Sequence, residues 1–452
     1  MKKIGILLMS LILVFSMTVP AFATTYSGYH NIISPKYLAI GDSIGTGVKG
    51  ADMLSEEAFK ASAIFDKETR KRDWNINSVD YSYVNKFAKA IRANRNSWNE
   101  TFVSLRAKDY CYLLGLADDK AFDIPFAFGL DDLLLINDGD FSSLDINKIM
   151  GNLSEIKDGW DTIREDFFGW LMYNLFWKDM NNDSTVNELK TAIRKADVIT
   201  VELGANEISA GAIGDVMCKI MPEILAAVKS TKNIKEADAF ISLYNNIMKY
   251  VENPYENSRN KLESICSDLV RLKKFGASLK DVGSSYSKLL LEITQSAMRA
   301  KYDYEVYTDR LMRYIRRQNP GAIVIATTVP NPMKGLDLGR MLADLGAGNL
   351  NLPAIDMADI MKPIVKQMNS FLYRNATKNG YLVADISEVN LNPADPMCVF
   401  HPDENGHDVI AAAIEKVYGD KVKEIIQKRI ENFEKLVSGI RKMNYKYWQV
   451  VE

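Results

Sequence analysis

The chain has 452 residues, with 56 Lys and Arg against 58 Asp and Glu, for a formal charge of −2. So even a balance gives no electrostatic basis for a nucleic-acid partner, and a hydrophobic content of 47% excludes a disordered chain. The length suits one large domain or two.

At the N-terminus, Lys2 and Lys3 precede an apolar run from Ile4 to about Met17, and Ala21 and Ala23 form an A-x-A pattern. Residues 1–23 therefore read as a secretory signal cut before Thr24. The run falls short of the roughly 20 residues that a spanning helix needs. No Cys follows the cut, so a lipid-modified N-terminus is not expected. A secreted chain of 429 residues with charge −4 and no stable membrane anchor would result.

Beyond it, short β-branched runs alternate with helical patterns. "KYLAIGDS" (36–43) reads as a buried strand ending in a turn, and "TFVSLRA" (101–107) is a weaker strand candidate. "DVITVELGANE" (197–207), "GAIVIATTVPNP" (321–332) and "GYLVADIS" (380–387) repeat the first design. Between and after them, residues 81–91, 305–321 and 406–419 carry helical spacing. This alternation predicts a parallel sheet with helices on both faces, whose ligands bind beyond the carboxyl ends of the strands. Asp42, Ser43, Asn206 and Asn331 all fall at such ends.

Two long stretches, about 108–190 and 212–295, look mainly helical and exceed a minimal α/β unit. Within the first, residues 160–177 are apolar on nearly every side, as a helix of the insertion's own core or as a cap over the site. The tail, 421–452, spaces Val422, Ile426, Ile430, Phe433, Val437 and Ile440 as an amphipathic helix expected to pack on the body. Cys111, Cys218, Cys266 and Cys398 permit three full disulfide pairings that the sequence does not rank. The absence of any C-x-x-C gives no sign of structural zinc.

Three pieces carry chemistry. Ser43 ends the first strand among Gly41, Gly45 and Gly47, and needs a base within hydrogen-bond reach to become a nucleophile. Asn206, after Gly204, can aim a side-chain amide at a developing oxyanion. His401 precedes Pro402 in a loop ahead of a helix, where an imidazole can lean over the strand ends. His407 falls at the helix start, as a cap or packing residue, and His30 reads as structural.

In order, spacing and strand-end position, Gly41-Asp42-Ser43, Gly204-x-Asn206 and His401-Pro402 resemble the SGNH (GDSL-type) hydrolase superfamily. The resemblance covers the sheet and its helices, about half the chain, and leaves out the two insertions. It implies a flavodoxin-like three-layer α/β/α fold with a parallel sheet of about five strands. It also implies one hydrolase domain over 24–420, helical insertions included, and no metal or cofactor. Ser43 would be the nucleophile and His401 the general base and then acid. The Ser43 N–H and the Asn206 side chain would line the oxyanion hole, completed by an N–H from the second block.

Two departures from the family pattern stand out. The second block, "FVSLRAKDYCYLLG", offers Ala107 or Gly115 where the family has a clear glycine. The orienting acid, three residues before the histidine in the family, is replaced by Cys398. Either Asp395 or a main-chain carbonyl near Cys398 would then fix the His401 tautomer. The expected function is a secreted serine esterase acting on acyl or acetyl esters of a lipid or saccharide. Alternatives are a binding protein on a disabled hydrolase fold and an acyltransferase using the same residues. Oligomeric state is not legible.

Overall fold

The computed structural model describes residues 34–48, 80–93, 97–102, 105–118, 183–209, 282–335, 356–391 and 401–451, with 32, 264 and 337 singly. The expected signal, His30, residues 160–177, Asp395, three of the cysteines and most of both insertions lie outside the described residues.

Five parallel strands form the sheet: β1 (Tyr37–Gly41), β2 (Ser97–Thr101), β3 (Val198–Glu202), β4 (Ile323–Thr327) and β5 (Leu382–Ala384), in the order β2-β1-β3-β4-β5. This is the flavodoxin-like order, in which the chain reverses its direction of travel between β1 and β3 and leaves a crevice beyond their ends. β1, β3 and β4 are buried along their whole length, which is why they read as continuous apolar runs.

Seven helices are described. They are α1 (Ser43–Thr46), α2 (Tyr83–Ala90), α3 (Ala107–Leu113), α4 (Asp183–Lys195), α5 (Val282–Gln318), α6 (Met357–Asn379) and α7 (Glu404–Val451). The strand period of two divides the core between the faces. Leu38, Ile40, Ile199 and Val201 pack with Tyr110 of α3, Ile193 of α4, Ile315 of α5 and Met368 of α6. Tyr37, Ala39 and Val198 face the other way, onto Phe87 of α2 and Ile414 of α7. The result is the three-layer α/β/α architecture that the alternation predicts.

Three boundaries differ from the sequence expectation. The second strand is "SWNET" rather than residues 101–107, because Tyr37 to Gly41 pair in register with Ser97 to Thr101. Its polar residues, Asn99 apart, are buried at the sheet's edge, so hydrophobic patterning gives little signal of it. α5 runs unbroken for 37 residues, joining the end of the second expected insertion to the helix expected from 305. α7 likewise continues for 48 residues, so the expected tail helix is the extension of the one that follows His401. Val422 and Ile425 pack on the core beneath α7, but Ile426, Ile430 and Phe433 are exposed, contrary to the expectation that this face packs on the body. Among the described residues no helix is long and apolar enough to cross a membrane.

Candidate active site

β1 delivers Ser43 to the crevice through a tight turn. Asp42 caps the one-turn helix α1, its Oδ1 accepting the Ile44 N–H at 2.9 Å, and Gly47 closes the turn at φ 89°. Ser43 opens that helix, so its own N–H is one of the terminal donors with no intrahelical acceptor. Small residues are required here sterically. A Cβ on Gly45 would lie 2.4 Å from Thr101 Cγ2, and one on Gly41 would lie 2.9 Å from the Glu202 carbonyl oxygen.

His401 arrives from the other end of the sequence. Asp403 caps the start of α7, its Oδ1 taking the Gly406 N–H at 2.7 Å and its carbonyl the His407 N–H at 3.1 Å. A Cβ on Gly406 would meet Pro402 at 2.7 Å, so that glycine lets the histidine loop fold tightly onto the helix. The loop brings His401 Nε2 to 2.9 Å from Ser43 Oγ, across 358 positions of sequence. With its proton on Nδ1, the imidazole can accept the serine hydroxyl proton at Nε2. Asp395 and the main-chain carbonyls near Cys398, the two alternatives for orienting it, lie outside the described residues.

His407 has the other role the sequence allowed. It is completely buried, and its Nδ1 accepts the Tyr83 N–H at 3.3 Å. That N–H belongs to the first turn of α2, beside the Ser82 cap, so the imidazole satisfies a helix-terminal donor. Its ring also stacks near Tyr83, with centroids 6.3 Å apart.

Asn206 sits in the helical turn that follows β3, over residues 205–209, and its Nδ2 donates to the Leu105 carbonyl at 3.3 Å. An amide nitrogen carries two hydrogens, so one remains for a second acceptor. Gly204 makes this turn possible, with φ at 123° and Val329 Cγ2 only 2.3 Å from where a Cβ would be. Asn331 is a turn former instead, its Oδ1 taking the Met333 N–H and its Nδ2 reaching the Ala358 carbonyl.

Neither second-block candidate offers a free N–H. Ala107 donates to Glu207 Oε1 at 2.7 Å, and Gly115 donates to the Tyr112 carbonyl as part of the α3 terminus. The Arg106 N–H is also engaged, by Asp109 at 3.0 Å. At Ala107 a carboxylate has taken the backbone donor, and at Gly115 a carbonyl of the helix end has.

Sequence reasoning missed the buried acids around the turn. Asp42, Glu202 and Glu207 are each almost fully buried. Burial pushes Asp42 up to about 7, against the pull of the Ile44 N–H and of Glu202. Burial, with the Asp42 charge adding to it, pushes Glu202 well above the usual carboxylate range. Burial also lifts Glu207 to about 7, opposed by the Ala107 N–H and the Arg106 charge. A signal for one of them was present, since "VITVE" places Glu202 on the same strand face as Val198 and Thr200. Cys111 is a buried thiol whose Sγ meets the Tyr307 carbonyl at 3.2 Å, and burial pushes it up to about 12. No cluster of potential metal ligands occurs among the described residues.

No protein-family model matches the chain, and no curated protein sequence does. Among solved structures, it is similar to phospholipase A1 from Streptomyces albidoflavus, with 12% identity and a TM-score of 0.35, over 85% of this chain and 99% of that one. It is also similar to an extracellular lipase from Streptomyces rimosus, with 9% identity and a TM-score of 0.33, over 85% of this chain and 100% of that one.

Proposed function

We propose that the protein is a secreted serine esterase of the SGNH (GDSL) type, hydrolysing carboxylic esters through an acyl-serine intermediate. The observation that carries this reading is the 2.9 Å approach of His401 Nε2 to Ser43 Oγ at the carboxyl end of a parallel sheet. His401 takes the hydroxyl proton as Ser43 Oγ attacks the ester carbonyl carbon. The tetrahedral oxyanion is met by the Ser43 N–H and by the amide of Asn206. His401 then returns the proton to the leaving alkoxide, and a water activated by the same imidazole releases the acid. Substrate candidates are acyl or acetyl esters of a lipid or a saccharide, and secretion follows from the signal-like residues 1–23.

A fluorophosphonate probe tests the reading. Stoichiometric labelling of the wild type at Ser43, absent in Ser43→Ala, supports it; no labelling at any pH contradicts it. A chain-length series of chromogenic esters, run beside acetylated xylan, separates acyl-lipid from acetyl-saccharide substrates. The engagement of the Ala107 N–H by Glu207 favours a second reading, a binding protein on a disabled hydrolase fold. The same labelling experiment decides between the two.

A further inference from the structure

The carboxyl of Glu202 lies across the peptide that leads into the nucleophile turn. Its Oε2 faces the Asp42 N–H at 3.5 Å and would stand 3.1 Å from a Cβ on Gly41. Asp42 holds the turn with one oxygen only, Oδ1 on the Ile44 N–H. Its other oxygen, Oδ2, is sealed from solvent and has no hydrogen-bond partner. A buried acceptor left open costs more than an average hydrogen bond gains. The acid that approaches this residue is Glu202, brought to the Asp42 N–H by the pairing of Gly41 with Glu202 between β1 and β3.

We propose that Asp42 and Glu202 form one proton-holding unit beneath Ser43, in which the Glu202 carboxyl proton closes onto Asp42 Oδ2 while Oδ1 holds the Ile44 N–H. Glu202 is thereby a positioning residue for the nucleophile turn, acting through Asp42 and touching no substrate. This role rests on the esterase reading of Ser43, although the carboxyl pair itself does not.

The surroundings favour retention of the proton. Tyr37 occupies the same sheet face, with its hydroxyl bonded to Thr200 at 2.8 Å. Tyr83 of α2, Tyr110 of α3 and Tyr304 of α5 add neutral phenols, while Thr101 of β2 presents a methyl to Gly41. Glu207 adds a like charge from the turn after β3, and Arg106 at the head of α3 offsets Glu207. His401 lies across Ser43 on the crevice side. Two carboxylates this close in a buried site do not both ionise readily. Alkaline conditions that strip the shared proton set two like charges under the turn and loosen it.

Glu202→Gln keeps a donor for Asp42 Oδ2 without a titratable proton, and Glu202→Leu removes the donor. In the full-length protein, the rate of fluorophosphonate labelling of Ser43 is measured against pH for the wild type and both variants. The wild-type rate should fall at alkaline pH. Glu202→Gln should lose the alkaline fall, and Glu202→Leu should label roughly tenfold more slowly than Glu202→Gln at neutral pH. An alkaline fall retained in Glu202→Gln, or equal rates for the two variants, overturns the proposal.

Thermal unfolding gives a readout that needs no activity. The wild-type midpoint should fall more steeply between pH 5 and 9 than that of Glu202→Gln, by roughly one carboxyl's proton linkage. Parallel curves overturn the pair. Absence of labelling together with divergent melting curves refutes the esterase reading while leaving the shared proton intact.

Discussion

The Ala107 N–H donates to Glu207 Oε1 at 2.7 Å, which locks the turn after β2 onto the turn after β3. Asn206 Nδ2 makes a parallel tie to the Leu105 carbonyl at 3.3 Å. Together they fix the height at which the Asn206 amide stands over the crevice. Glu207→Ala would leave a buried N–H unsatisfied and should cost about 1–3 kcal/mol in denaturant unfolding. Glu207→Gln keeps an acceptor oxygen and should lose much less.

Stability should fall as pH rises through neutrality. Asp42, Glu202 and Glu207 all have folded-state affinities for protons raised by burial, the first and last to about 7. The folded state therefore binds more protons than the unfolded state from the ordinary carboxylate range up to about 7 and beyond. Unfolding free energy then decreases with pH across that window, and the contribution is complete only below the unfolded values. Calorimetric midpoints between pH 5 and 9 check this; a midpoint that climbs over that range contradicts the sign.

His407 should prove a scaffold residue. Replacement by Ala removes the acceptor for the Tyr83 N–H and a fully buried ring, which predicts a loss of about 2–4 kcal/mol in stability. His407→Asn, whose side-chain oxygen can accept the same N–H, should recover part of the loss. Folded protein of either variant should still be labelled at Ser43 by a fluorophosphonate.

Gly204→Ala should be among the most damaging single substitutions outside the reacting residues. The position combines φ of 123° with a Cβ clash of 2.3 Å against Val329 Cγ2. Backbone strain alone costs about 1–3 kcal/mol. Adding Val329→Ala should relieve the clash but leave the strain, so the double variant should recover only part of the midpoint shift.

The buried strands β1, β3 and β4 were legible because parallel strands covered on both faces write apolar runs into the sequence. Ser43, Asn206 and His401 could be picked out because each ends a strand or precedes a helix, where polar residues stand out against those runs. β2 was misplaced because an edge strand of Ser97, Asn99, Glu100 and Thr101 is specified by backbone pairing with β1, which leaves no periodic mark. The occupation of the Ala107 N–H depends on a contact 100 positions away, and no local pattern reports such a bond. Glu202 was visible as an acid in an apolar strand, but its relation to Asp42 comes from the β1–β3 pairing of Gly41 with Glu202.

The proposed esterase depends above all on the pairing of Ser43 as nucleophile with His401 as base. Its most direct test is the turnover of p-nitrophenyl butyrate by the wild type, Ser43→Ala and His401→Ala, each confirmed folded by circular dichroism. The wild type should hydrolyse the ester, and each variant should lose roughly 10³-fold or more of that activity. Equal turnover by all three proteins would contradict it.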